Sequence, residues 1–181
     1  MKNSTGFRVL WLMAGMFFIT NIALCQQEVS NEISYKVDFG PVYPIEGTSS
    51  SITGKAALND KTGAFEQLSF DVDVNTFIGI NSGYLGWISN SWKNPDMKFT
   101  STSIAKKGND LMVDGRLEFR RRTSFVQVRM TQKTIGTTIV LSGDFTLNTS
   151  DFFIIAPHRD LVPTWIPFKV TLVFDSVKLK E

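Results

Sequence analysis

The chain has almost none of the residues on which reactive chemistry depends. It holds one histidine, His158, and one cysteine, Cys25, among 181 residues. His158 sits in the stretch Ala156-Pro157-His158-Arg159-Asp160, with no second His or Cys at metal-ligand spacing. No nucleophile-elbow sequence accompanies it, so a Ser-His-Asp triad lacks its usual frame. No glycine-rich phosphate loop leads into a helix. A single cysteine closes no disulfide within the chain, which leaves stability to packing. Long hydrophobic runs are missing too. Residues 10–19 read LWLMAGMFFI, about half of the ~20 apolar residues that a bilayer span needs.

That short run carries information of its own. Lys2 and Arg8 precede it and small residues near Ala23 follow it, which is the pattern of a secretory signal peptide. Residues 1–25 are therefore expected to be removed, leaving 26–181 as a single periplasmic or secreted domain. The alternative is a membrane-attached lipoprotein with Cys25 as its lipid-modified first residue, although Leu24 stands where a lipobox has Gly, Ala or Ser. Lys2 and Arg8 would leave with the leader, so 17 of the 19 basic residues remain against 17 acidic ones. A domain of balanced charge is not a nucleic-acid binder, which would carry a basic excess.

What is abundant is period-two alternation, the mark of strands with one buried face. Leu68, Phe70, Val72 and Val74 alternate with polar residues. So do Val113, Leu117 and Phe119, with Gly115 between them, and Ile139, Leu141, Phe145 and Leu147, with Gly143 between them. Phe168, Val170, Leu172 and Phe174 continue the pattern near the C-terminus. Turn-prone pieces at residues 59–63, 107–110 and 135–136 separate the runs. The reading is an all-β meander of six to eight strands. Alternation alone permits a barrel or a sandwich. The carboxylates Asp71, Asp73, Asp114, Glu118 and Asp144 fall on the opposite, wet face, which argues against a catalytic pair. Residues 81–95 break the rhythm, because Leu85, Ile88 and Trp92 share one helical face. Asn81 or Ser82 is placed to cap that helix, and Asn94-Pro95 to stop it.

At this level of detail the chain resembles the YceI-like family of exported proteins. Ser51-Ile52-Thr53-Gly54-Lys55 and residues 63–74 (GAFEQLSFDVDV) resemble its opening strands, and Asn75-Thr76-Phe77 stands at its "S-I-x-T". Residues 94–102 (NPDMKFTST) are close to "Y-P-x-I-x-F-x-S", and 113–119 (VDGRLEF) to "V-x-G-x-L-T-I". Residues 143–152 (GDFTLNTSDF) follow "G-x-F-x-I-x-R-S-D-F-G-I". The resemblance implies an antiparallel eight-stranded lipocalin-like barrel with a short helix near one end. It also implies a polyisoprenoid, quinone or other apolar lipid in the lumen. The departures bear on the ligand headgroup, the lid contacts and any partner, and much less on the barrel. Residues 83–89 (GYLGWIS) lack the family's charged "R-D-x-H-L-R-S". Arg120-Arg121-Arg122-Thr123-Ser124 replaces an "H-G" hairpin, and Thr149 and Phe153 replace the Arg and Gly of "R-S-D-F-G".

The residues expected to line the lumen are those named in the four alternating runs (Leu147 aside), together with Phe99, Val126 and Val128. Trp87, Trp92 and Trp165 are candidates for the lid or rim. Arg120, Arg121 and Arg122 form a basic turn that would face water or touch a membrane surface, and Phe125, off the inner face, would suit a homodimer contact. Three functions remain in view. The first is a non-enzymatic carrier of an isoprenoid or acyl lipid, with no cofactor. The second is a packed interaction module without ligand, and the third a lipid-acting enzyme using polar groups around His158 or Asp151.

Overall fold

The computed structural model describes residues 29–39, 43–154 and 162–180. The leader, Cys25 and the stretch around His158 lie outside the described residues. Nine strands are described: β1 (Glu32–Phe39), β2 (Tyr43–Ser49), β3 (Ile52–Leu58), β4 (Phe65–Asp73), β5 (Asp96–Lys107), β6 (Asp110–Phe119), β7 (Arg122–Ile135), β8 (Thr138–Asn148) and β9 (Trp165–Asp175). They form one sheet in the order β2-β1-β9-β8-β7-β6-β5-β4-β3, with every neighbouring pair antiparallel.

The expected closed barrel of eight strands is thus a curled, half-barrel sheet of nine. The extra strand has a local cause. At Ser50-Ser51 the Ser51 N–H donates to Ser49 Oγ at 3.2 Å, a side-chain turn that competes with strand continuation. It separates β2 from β3, which become the two edges of the sheet. The curl brings β3 beside β9, where Gly54 lies against the side chains of Leu172 and Phe174. Asn31 spans that approach: its amide donates to the Ile52 carbonyl at 3.4 Å and accepts from the Val173 N–H at 2.7 Å.

Turn chemistry sets the ends of the strands. Gly108 and Gly136 adopt positive φ in the β5–β6 and β7–β8 turns, the role that glycine fills without steric cost. The β6–β7 turn is less usual, because Arg120 and Arg121 sit at φ 51° and 59° between the paired Phe119 and Arg122. Two-residue hairpins require such angles, which Asn and Gly normally supply. The sequence shows a basic run there and conceals the turn.

One short α-helix, α1 (Gly83–Ser89), crosses the end of the sheet at which β4 stops and β5 starts. Leu85 and Ile88 are buried beneath it. The helix is shorter than its apolar spacing predicts. Asn90 turns left-handed at φ 57° and its N–H reaches the Gly86 and Trp87 carbonyls, ending α1 at Ser89, well before Pro95. Ser82 holds the N-cap position without a side-chain hydrogen bond, while the Asn81 amide donates instead to the Pro44 carbonyl at 3.3 Å. Trp92 therefore lies beyond the helix and is 75% exposed.

Candidate functional site

The concave face of the sheet is lined by apolar side chains. Leu68, Phe70, Val72, Val74, Phe99, Val113, Leu117, Phe119, Val128, Ile139, Leu141, Phe145, Phe168, Val170, Leu172 and Phe174 are all buried in one cluster. Val126 is only partly buried, for a reason that lies in the pairing of β7. The five strand carboxylates Asp71, Asp73, Asp114, Glu118 and Asp144 are exposed on the outer face, as alternation requires.

The interior is filled by rings. Phe145 stacks on Phe168 at 5.1 Å and lies 5.9 Å from Phe70, which stacks on Phe99 at 5.1 Å. On the other side Phe168 meets Tyr35 at 5.7 Å and Phe77 at 6.5 Å. Offset and edge contacts of this kind add to the area that each ring removes from water. Tyr35, Phe77, Met97, Met130 and Phe152 belong to this interior and were not anticipated from the sequence. For Tyr35 the signal was available, because Ile33, Tyr35 and Val37 alternate with Ser34 and Lys36.

Two covers close the end of the sheet that bears α1. Tyr35 Oη donates to the Ser82 carbonyl at 2.8 Å and accepts from the Leu85 N–H at 3.4 Å, which ties α1 to β1. Burial pushes the Tyr35 hydroxyl up from 10.0 to about 12, against the opposing effect of that N–H. A hydroxyl held protonated in the fold supports stability below pH 10 and withdraws it as pH rises towards 12. Tyr35→Phe is expected to lose about 1 kcal/mol in urea denaturation at neutral pH and to flatten this alkaline decline.

The second cover is the 3-10 turn Thr149–Phe152, entered through Asn148, whose side chain accepts from the Ser150 N–H. Phe152 is buried against Phe119 at 5.9 Å. Arg120, expected to be part of an exposed basic turn, folds inward instead. Its guanidinium donates to the Phe152 carbonyl at 3.0 Å and also to that of Phe153. Burial lowers its pKa, and its Nε finds no acceptor among the described residues. Arg121 and Arg122 remain exposed, with Arg122 4.2 Å from the Phe153 ring. Asp151 does not converge on a buried polar centre, since it is exposed and accepts from Ser124 Oγ at 2.7 Å. Around this end Trp87, Trp92, Phe153 and Trp165 are 54–75% exposed, and Phe125 is 78% exposed on β7.

The ladder between β7 and β8 is incomplete. It runs from Ile135–Thr138 to Arg129–Asp144 and stops there, although β7 extends back to Arg122 and β8 on to Asn148. The two strand ends bound a groove of about 590 Å³ lined by Phe125, Val126, Gln127, Phe145, Thr146 and Trp165, with Arg129, Asp144, Asn148 and Asp151. Val126 is half-covered because it faces this opening.

Comparison with known proteins agrees with this architecture. The fold is similar to that of Burkholderia cenocepacia BcnA, at TM-score 0.68 and 20% identity over 80% of this chain and 96% of that one. It is also similar to the Campylobacter jejuni YCEI protein, at TM-score 0.63 and 14% identity over 72% and 84% of the two chains. No curated protein matches the sequence. Residues 26–180 match the YceI-like domain, and the chain belongs to that family.

Proposed function

We propose that this protein is an exported, non-enzymatic carrier that holds the hydrocarbon chain of a polyisoprenoid, quinone or acyl lipid against the inner face of its sheet. The observation that carries this reading is the predominantly apolar character of that face from β4 through β9, under covers at one end. Each Å² of apolar surface taken from water contributes about 25 cal/mol, so a long chain gains affinity without any specific polar contact. The YceI-like family is known for binding polyisoprenoids, which supports the same class of guest. Exposed Trp87, Trp92, Phe153 and Trp165, at the same end of the sheet as Arg121 and Arg122, combine interfacial aromatics with basic charge. That pairing suits transient contact with an anionic membrane surface.

The stacked rings favour a second reading, a solidly packed module that carries no guest. Native mass spectrometry with lipid extraction separates the two, using chain purified gently from a bacterial periplasm. The carrier reading expects a bound species of several hundred daltons, released by organic solvent and identified as a prenyl or acyl lipid. A mass that stays bare after incubation with quinones, polyprenols and fatty acids overturns it in favour of the packed module.

A further inference from the structure

From the incomplete ladder between β7 and β8, we infer that the lipid chain enters the interior sideways through this split, with the Phe145 ring as its door. The inference rests on the carrier reading and deepens it by assigning the route. In an antiparallel sheet each strand is sealed to its neighbours by a continuous ladder, and apolar chains do not cross it. Here the seal ends at Arg129–Asp144. Beyond that point β7 is paired only with β6, and β8 only with β9.

The composition of the split matches an apolar chain. Val126 and Phe145, from the inward-facing series of β7 and β8, both line the groove, so residues of the core series form its floor. Exposed Phe125 and Trp165 form its lips. Behind Phe145 lie Phe168 on one side and Phe70 on the other. Rotation of the Phe145 ring thus connects the outer groove with both arms of the aromatic column. Across the wide end, Ser124 Oγ donates to Asp151 Oδ2 at 2.7 Å, an exposed tie of the weak, readily broken kind. The ends of β7 and β8 that flank the split lack the mutual hydrogen bonds that would resist their separation, so local opening there is less costly than elsewhere in the wall.

The test staples the split. Pairing extended past Arg129–Asp144 would set Gln127 opposite Thr146, and both side chains are exposed. In a Cys25→Ser background, Gln127→Cys/Thr146→Cys is joined by a short reducible bis-thiosulfonate, and uptake and release of cis-parinaric acid are followed by stopped-flow fluorescence. A matched staple, Thr131→Cys/Ser142→Cys, joins residues already paired in the intact ladder and serves as control. The expected result is that the first staple slows uptake and release about tenfold or more, that reduction restores both, and that the control changes neither. Unaltered rates in the stapled split, with the probe still bound, overturn the lateral route and leave the carrier reading standing. Failure of the unstapled chain to take up parinaric acid, a polyprenol or a prenylated quinone overturns the carrier reading, and the route falls with it.

Discussion

Phe168→Ala is expected to cost about 3–5 kcal/mol, the range for truncating a fully buried phenylalanine. Phe168 is 1% exposed and joins the two arms of the ring column, with Phe145 at 5.1 Å and 6° on one side and Tyr35 and Phe77 on the other. Removing it takes away ring contacts from three neighbours at once and leaves a void lined by rings and aliphatic side chains. Small domains have only about 5–15 kcal/mol of stability in total, so the loss should be plain in the urea midpoint with little change in slope. A dry apolar void of this kind accepts apolar guests. The variant should therefore bind parinaric acid at least as tightly as the parent chain and regain part of its midpoint when it does. A loss below about 1 kcal/mol would mean that the column is a mobile lining rather than packed core.

How much of this was legible in the sequence depends on which physical signal each element sends. Alternation fixes the side of a strand to which a residue belongs, and for Leu68, Phe70 and Val72, or Phe168, Val170 and Leu172, it is correct because the pleat is regular over those residues. It does not tell how far two strands remain paired. Val126 therefore reads as an ordinary lumen residue, and only the register shows it standing at a split. Positive φ hides in the same way when glycine and asparagine do not provide it. The turn at Arg120-Arg121 reads as surface charge, yet Arg120 folds back onto the carbonyls of Phe152 and Phe153. Trp92 shows the converse error. Its spacing from Ile88 is helical, but Asn90 in the left-handed region breaks the helix between them.

Strand number went astray for a comparable reason. The resemblance gives a closed barrel of eight, and a two-residue interruption at Ser50-Ser51 is invisible to a pattern that both flanking strands satisfy. Of the apolar inner face, alternation made the share of β4, β6, β8 and β9 legible, while that of β1 to β3 (Ile33, Tyr35, Val37, Ile45 and Ile52) was not read. The two covers were not legible, since Tyr35 and Phe152 act through long-range contacts with Ser82, Leu85, Phe119 and Arg120 that no periodicity encodes.

Gly143→Ala concentrates these arguments in one atom. A Cβ at Gly143 would lie 2.4 Å from the Arg129 carbonyl oxygen, 2.8 Å from Met130 Cγ and 3.0 Å from Met130 Cα. The Met130 side chain can move aside, but the Arg129 oxygen and Met130 Cα are backbone, so relief requires β7 and β8 to separate. Gly143 pairs with Met130 at the last rungs before the ladder stops. The strain therefore falls where the split begins and should unzip further pairs towards the Gly136 turn. Overpacking a closed site costs about 1–3 kcal/mol and sometimes more, and a backbone clash belongs at the upper end. The expected result is a fall of about 3 kcal/mol in unfolding free energy, read by urea denaturation. Hydrogen exchange should show faster exchange in residues 129–135 and 138–144, with the β5–β6 amides little changed. If the chain still folds, a wider split should speed parinaric acid uptake, whereas Gly115→Ala, whose Cβ would press on Phe99 and the Thr100 carbonyl and so strain the β5–β6 ladder rather than the β7–β8 one, should destabilise without speeding it. Equal effects of the two variants on uptake would mean that general loosening, and not the β7–β8 seam, governs access to the interior.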